Sequence, residues 1–424
     1  MAIPTLAMIP SGYKAGKLYS VLPSDGTGDF TVARNSIATR VNQSGLIEEV
    51  GVNVPRLDYS AGGCPVLLTE IQSQNLIDYS EDFTTNWTAS GVSVTANQII
   101  SPNGNLTGSL IQSTTANVSF IEPSNSPLII GNTYTYSVFV KKGNNQWIRL
   151  AHISSSATGC WFDLENGVVG TVNSQSATID KYENDWYRIS NTFIATSVST
   201  SNSAFIGICD DNGSTSAGAI GQNFYVYGAQ VEQQPAATSY IKTTGTPQTR
   251  EADLVNGAGS AATFNSLEHT FFVDLNSVFK SGAGSTICIV GSTGTVADNR
   301  IMIQKQSNDT QVTLQIRSGG STVATETLSN IDFSLKQKLA ITVKENEVKY
   351  YRNGFLIATD TGTIPLPVSL GQLTLTSGIT ISRFFADTKD IRYYNQVLTA
   401  AETLELMSYD SFNEMASALQ YTIK

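Results

Sequence analysis

Charge is scarce in this chain. Asp, Glu, Lys and Arg make up only 14% of its 424 residues, against roughly 25% in ordinary soluble domains. That composition excludes a coiled coil, which needs Glu and Lys heptads, and disorder driven by high charge. The 25 basic residues are outnumbered by 35 acidic ones, a net charge of −10, so no long basic face for nucleic acid is expected. No apolar run approaches the roughly 20 residues of a membrane helix. Cysteine is rare: Cys64, Cys160, Cys209 and Cys288 lie far apart without a Cys-x-x-Cys pair, which excludes a disulfide scaffold and predicts reduced, buried thiols. A secretory leader is not expected either. The apolar stretch in Met1–Ser20 is broken by Pro4 and Pro10 and its lysines follow it, the reverse of a signal peptide.

What replaces charge is Ser, Thr, Asn, Gln and 34 Gly, beside a 41% hydrophobic fraction ample for real cores. Nearly every stretch alternates with period two, the mark of half-buried antiparallel strands. In Thr133–Val140, Tyr134, Tyr136, Val138 and Val140 share one face. In Thr310–Ser318, Val312, Leu314 and Ile316 do the same. Asn166-Gly167 and Asn353-Gly354 predict type I′ hairpins, because both central residues need positive φ. One helix is expected near the end, where Thr399 and Glu402 form a capping box before Leu404 and Met407. Phe412–Leu419 adds a further short turn or helix.

The fold class is therefore all-β: an N-terminal loop-rich docking segment, two β-sandwich (jelly-roll) domains and a short C-terminal α tail. Boundaries fall at 1–75, 76–250 and 251–424, with Thr243–Ala262, rich in Thr, Gly and Ala, read as a linker. All four tryptophans (Trp87, Trp147, Trp161 and Trp186) belong to the middle block.

Gly228-Ala229-Gln230-Val231-Glu232, followed by Ala237-Thr238-Ser239-Tyr240-Ile241 and Thr249-Arg250, resembles the closing strand of a carbohydrate-binding-module-like jelly roll common in phage tail fibres. Upstream, Arg34-Asn35-Ser36, Pro55-Arg56-Leu57-Asp58, Leu67-Leu68-Thr69-Glu70 and Asn75-Leu76 resemble the leader that precedes this module. Leu339–Val343, Val348–Gly354 and Asp390–Leu398 are similar to the central hairpin and closing strand of a laminin-G or concanavalin A-like sandwich. The resemblance implies a non-enzymatic virion protein of the tail fibre, baseplate or head, made in the host cytoplasm and released by lysis. It implies other virion proteins and a host-surface glycan or receptor as partners, a homotrimer, and no nucleic acid or membrane. The alternative is a glycan-degrading tail enzyme carrying these sandwiches as accessory modules.

The chemistry-bearing residues weigh against an enzyme. Of the two histidines, His152 shares a face with Ile148 and Leu150 and reads as a core residue, while His269 reads as a solvated strand end. No Gly-x-Ser-x-Gly elbow, phosphate loop or alternating Glu-x-Asp-x-Glu strand occurs. Asp210 and Asp211 in Asp210-Asp211-Asn212-Gly213 supply adjacent oxygens that could hold a structural Ca2+, although the same residues make ordinary turns; no other cofactor is expected. Carbohydrate binding is expected at Trp147, Trp161 and Asp163, because an aromatic ring stacks on the C–H face of a sugar while carboxylates and amides bond its hydroxyls.

Overall fold

The computed structural model describes residues 2–124, 127–152, 159–196, 204–264, 267–278, 285–292, 298–375, 386–410, 414 and 417–418. It is all-β apart from a single turn of 3-10 helix and a C-terminal α-helix, and it divides into two compact units. One comprises Met1–Ile37, Val50–Ile71 and Ala252–Lys424; the other comprises Ala38–Glu49 and Gln72–Glu251. Residues 1–75 are thus shared between the two units. The physical reason is the one their sequence carries: short strands with too little apolar surface for a core of their own complete the cores of larger sheets.

The unit formed by 38–49 and 72–251 is two six-stranded antiparallel sheets. One sheet runs Trp87–Ser90, Ser119–Pro123, Ala204–Cys209, Trp147–His152, Cys160–Asp163, Val168–Val172. The other runs Val92–Ile100, Leu106–Ser113, Asn223–Glu232, Thr133–Lys142, Trp186–Ile194, Ser176–Lys181. Period-two alternation sends Tyr134, Tyr136, Val138 and Val140 from the second sheet against Ile148, Leu150, Ile206 and Ile208 from the first. The opposite face of the second sheet is not solvated. Phe139, Trp186, Tyr227 and Tyr240 pack there with Ile47, and the Trp186 indole N–H donates to Ile100 O at 3.0 Å.

The Gly228–Glu232 motif has a mechanical role in this unit. The Glu232 carboxylate is fully buried and accepts from Ser73 Oγ at 2.6 Å, Thr238 N at 2.8 Å and Thr238 Oγ1 at 2.7 Å. Gln230 Oε1 accepts from Ile241 N at 2.6 Å. Asn75 Nδ2 donates to Ala229 O and Ile241 O at 3.0 and 2.8 Å. The Gly-Ala-Gln-x-Glu strand thus clasps the Thr238–Ile241 segment and the start of the module together.

The other unit packs an eight-stranded sheet against a five-stranded one. The larger sheet holds His269–Val278, Gln337–Lys344, Glu347–Arg352, Phe355–Thr361 and Ala386–Tyr394, together with Leu6–Met8, Arg56–Asp58 and Val66–Leu68 from the N-terminal segment. Val312, Leu314 and Ile316 lie in the common core, as their alternation predicts. The stretch read as a linker is built into structure instead. Gln248–Arg250 pairs with Ser73–Asn75, Leu254–Asn256 pairs with Phe30–Ala33, and the division between units falls at Glu251 and Ala252. Backbone hydrogen bonds to remote strands, unreadable from a Thr- and Gly-rich composition, are what order it.

Asp253, inside that stretch, is the hub of a buried ion cluster. Its Oδ1 accepts from Arg34 Nη1 at 2.8 Å, its Oδ2 from the Glu70 backbone N–H at 2.9 Å, and Arg56 Nη2 bonds it as well. Arg56 Nη1 reaches Glu70 Oε2 at 2.5 Å. Arg34 also donates to the carbonyls of Ser36, Gly51 and Val54. Burial alone would lower the Arg56 pKa, but the two carboxylates raise it above its ordinary value.

Local signals fare unevenly. Thr399 Oγ1 accepts from Glu402 N at 3.2 Å and Glu402 Oε2 accepts from Thr399 N at 2.9 Å, so the capping box opens the Ala400–Ser408 helix as expected. Phe412–Leu419 lies largely outside the described residues. Asn353 and Gly354 both have positive φ, and Arg352 faces Phe355 in a two-residue hairpin. At Asn166-Gly167 only Gly167 is positive, and the loop spans the four residues between Asp163 and Val168. The Asp163 carboxylate captures the N–H groups of Glu165 and Asn166 at 2.9 and 3.1 Å, which favours this wider turn over a type I′ one.

Removing Arg56 leaves two buried carboxylates short of a partner, so Arg56→Met is expected to destabilise its unit by about 3–5 kcal/mol. Urea unfolding measures this. Glu70→Gln combined with Arg56→Met should cost less than the sum of the single changes, because the two share one network.

Candidate functional site

The outward face of the Trp147–His152 sheet gathers the residues that could meet a ligand. Strand register sets one row across its loop end: Cys209 opposite Trp147, Trp147 opposite Asp163, and Asp163 opposite Val168. Trp147 and Asp163, singled out from sequence for different reasons, are therefore direct neighbours.

Trp147 is half-buried and its ring rests over Gly170. A Cβ on Gly170 would lie 2.7 Å from Trp147 Cζ3 and 2.5 Å from Asn212 Oδ1, so only glycine admits both. Asn212 Oδ1 accepts from Thr171 N at 2.8 Å, which holds the Asp210–Gly213 turn against the same strand. Gln146 Nε2 and Asn166 Nδ2 donate to Asp163 Oδ2 at 3.0 and 2.8 Å. Gln146, Asn166 and Asn212 are all exposed. Gln146 Oε1, Asn166 Oδ1 and Asn212 Nδ2 have no bond to another described residue, so open acceptors lie at Asp163, the strand neighbour of Trp147, and an open donor lies beside the ring itself.

Asp163 itself is only 4% exposed. Burial opposes its charge, but bonds from Asn166, Gln146 and Glu165 outweigh that and hold its carboxyl below the usual carboxylate range. Its role is to organise the turn and orient two amides, not to bond a ligand directly.

Trp161 is placed differently from the sequence expectation. It is 3% exposed, so no sugar can stack on it. Its indole N–H donates to Ser214 O at 2.5 Å, and the Arg149 guanidinium lies 5.0 Å from its ring centroid. Alternation puts Trp161 on the outward face, but Arg149 beside it and the 210–217 loop above it bury the ring. Trp161 thus anchors the loop that delivers Asn212.

Arg149 continues into an apolar stripe that sequence reasoning missed. Phe120 faces Gly207, Gly207 faces Arg149 and Arg149 faces Trp161 across the sheet. Phe205 lies 5.2 Å from both the Phe120 ring and the Arg149 guanidinium carbon. The alternation of Phe205, Gly207 and Cys209 was legible. That the outward face was the aromatic one was not.

Asp210 and Asp211 are exposed in a tight turn with Gly213 at φ +84°. Asp211 Oδ1 already accepts from Asn212 N at 2.7 Å. Calcium takes six to eight oxygens, and among the described residues no group of three or more acidic, histidine or cysteine side chains gathers. The pair does not by itself fit a calcium ion, and no step is derived from one.

Both histidines and the thiols of Cys160 and Cys209 are sequestered. His152 is buried and stacks on Phe193, with ring centroids 4.0 Å apart. Desolvation, helped by the Arg149 charge, lowers its pKa to about 4. His269, expected at a solvated strand end, is fully buried and stacks on Tyr393 at 5.4 Å, because its strand is central in the eight-stranded sheet. Cys160 and Cys209 are free and buried, and burial pushes the Cys209 thiol up to about 12. Cys64 is exposed, contrary to the expectation of buried thiols, since it sits in a bend among exposed glycines.

No protein-family model and no curated protein sequence matches the chain. Solved structures give partial likenesses. The CBM40 domain of the Ruminococcus gnavus IT-sialidase, bound to α2,3-sialyllactose, is 17% identical over 36% of this chain and 94% of its own, with a TM-score of 0.30. Domain 4 of AbnA, a GH43 extracellular arabinanase from Geobacillus stearothermophilus, in complex with arabinotriose, is 13% identical over 41% of this chain and 82% of its own, at 0.30. A heptameric SAP-like pentraxin from Limulus polyphemus is 11% identical over 34% and 71%, at 0.28. At these scores the likenesses carry nothing about ligand or activity.

His152 should stay neutral in NMR titrations down to about pH 4. Its folded pKa lies below the unfolded value of about 6.5, so its contribution to stability is intact above pH 6.5 and is lost as pH falls toward 4. His152→Phe should flatten that part of the stability profile. Gly170→Val should displace the Trp147 ring and Asn212, with a cost of about 1–3 kcal/mol in thermal unfolding.

Proposed function

We propose that this chain is a non-enzymatic structural protein of a bacteriophage virion, whose β-sandwiches attach the particle to a host-surface glycan. The observation that carries the binding part is Trp147, half-buried against Gly170 and Asn212, with the exposed amides of Gln146 and Asn166 held on its strand neighbour Asp163. An aromatic face with amides at its rim is the chemistry of sugar recognition: the ring covers the apolar C–H face, and the amides offer both donors and acceptors to hydroxyls. The virion setting rests on the resemblance of the leader and clasp motifs, including Arg34, Arg56, Glu70, Gln230 and Glu232. Proteins of this kind assemble as trimers beside other virion components, after synthesis in the host cytoplasm and release by lysis.

The absence of catalysis belongs to the same proposal. Both histidines are buried and stacked on aromatic rings, which supports an inert role for them. No metal is required, so chelation should leave the melting temperature unchanged.

A glycan array with the wild-type chain should show binding that Trp147→Ala lowers at least about tenfold, as truncating a central aromatic anchor costs about 2 kcal/mol or more. Incubation with host polysaccharide should release no new reducing ends; their appearance would establish the depolymerising enzyme instead. Mass spectrometry of purified virions should find the polypeptide, and light scattering should find an oligomer.

A further inference from the structure

Three segments frame the Trp147 ring: Lys142–Trp147, Asp163–Val168 and the Cys209–Ala217 loop. Register and Gly170 fix all three around the ring, as Trp147 faces Asp163 on one side and Cys209 on the other, and Asn212 meets the same glycine. Their charge is one-sided. They contain Asp163, Glu165, Asp210 and Asp211, with Lys142 as the single cation. Lys142 is committed to an ion pair with Glu165. Arg149, on the same strand as Trp147, is 5% exposed and stacked against Trp161 and Phe205.

Asp163 is held ionised by its hydrogen bonds, so its charge persists through the neutral range. Asp210 and Asp211 are exposed in the turn that carries Asn212. An anionic saccharide stacked on Trp147 would bring its carboxylate among these groups with no accessible unpaired cation in the three segments to receive it. Like charges repel at this range even in water, and each added carboxylate compounds the penalty. Recognition of acidic sugars calls instead for an arginine fork or an exposed lysine aimed at the ligand.

We infer that the Trp147 site selects neutral saccharides and rejects carboxylated ones, with Asp210 and Asp211 as the residues that set this specificity. The inference rests on the proposed glycan-binding reading of the site and names its substrate class. The rim amides suit it, since hydroxyl and N-acetyl groups match neutral donors and acceptors without any charge to neutralise.

The experiment uses the full chain on a glycan array containing neutral and acidic sets, followed by calorimetry with a matched pair: oligogalacturonate and its fully methyl-esterified form. Neutral glycans are expected to bind, with the ester favoured over the acid by at least about tenfold at low salt. That ratio should shrink as ionic strength rises and the Debye length falls from about 30 Å at 0.01 M to about 8 Å at 0.15 M. Asp210→Asn with Asp211→Asn keeps an oxygen at each position and should narrow the ratio at fixed salt without loss of neutral-glycan affinity. Preferential binding of acidic glycans, or a ratio that salt and the double variant leave unmoved, overturns the inference while glycan binding stands. Failure of every glycan to bind overturns the proposed function itself, and the inference with it.

Discussion

Buried carboxylates satisfied by segments remote in sequence hold this protein together. Asp253 meets Arg34 and Arg56 across roughly two hundred residues of chain, and Glu232 meets Ser73 across 159. Asp253 and Glu232 are buried in places where each has several partners. A desolvated charge is costly alone and tolerable only when every lone pair is engaged. The arrangement therefore acts as a specificity device: the N-terminal strands find a partner for their arginines in one register. Without that register Arg56–Asp58 and Val66–Leu68 are merely short strands, too brief to be stable by themselves.

The same logic, at smaller scale, builds the Trp147 site. Asp163 is turned inward and used to shape a loop, so the groups left at the surface are the amides it orients. Trp161 is likewise used as an anchor. Both residues are buried on the strand beside Trp147, which is the member of the sequence-derived set that reaches the surface. A small residue, Gly170, decides how the ring and Asn212 share the remaining space.

Strand periodicity, the two sandwiches and the capped helix were readable from sequence because each depends on neighbours two to four residues apart. The faces of Thr133–Val140 and Thr310–Ser318 follow directly from alternation. What was not readable depends on distant partners. Thr243–Ala262 looks like a linker by composition but pairs with Ser73–Asn75 and Phe30–Ala33. Trp161 and His269 sit at positions whose burial is decided by what covers them, Ser214 and its loop in one case and Tyr393 in the other. The Asn166-Gly167 turn shows that even local chemistry can be overridden, here by a carboxylate three residues upstream.

The division of the chain has a consequence for biosynthesis. The polypeptide passes between the two units at residues 37, 49, 71 and 251, and Leu6–Met8 pairs with Tyr393, Arg392 and Ile391. The unit centred on residues 72–251 has all its parts once residue 251 has left the ribosome, whereas its companion must also wait for Ala386–Tyr394. Contacts of such long separation close slowly. During that wait the opening strands are unpaired edges, exposed to neighbouring nascent copies. Completion of the companion unit therefore waits on Ala386–Tyr394, and termination before that strand would leave Leu6–Met8 without its intended neighbour.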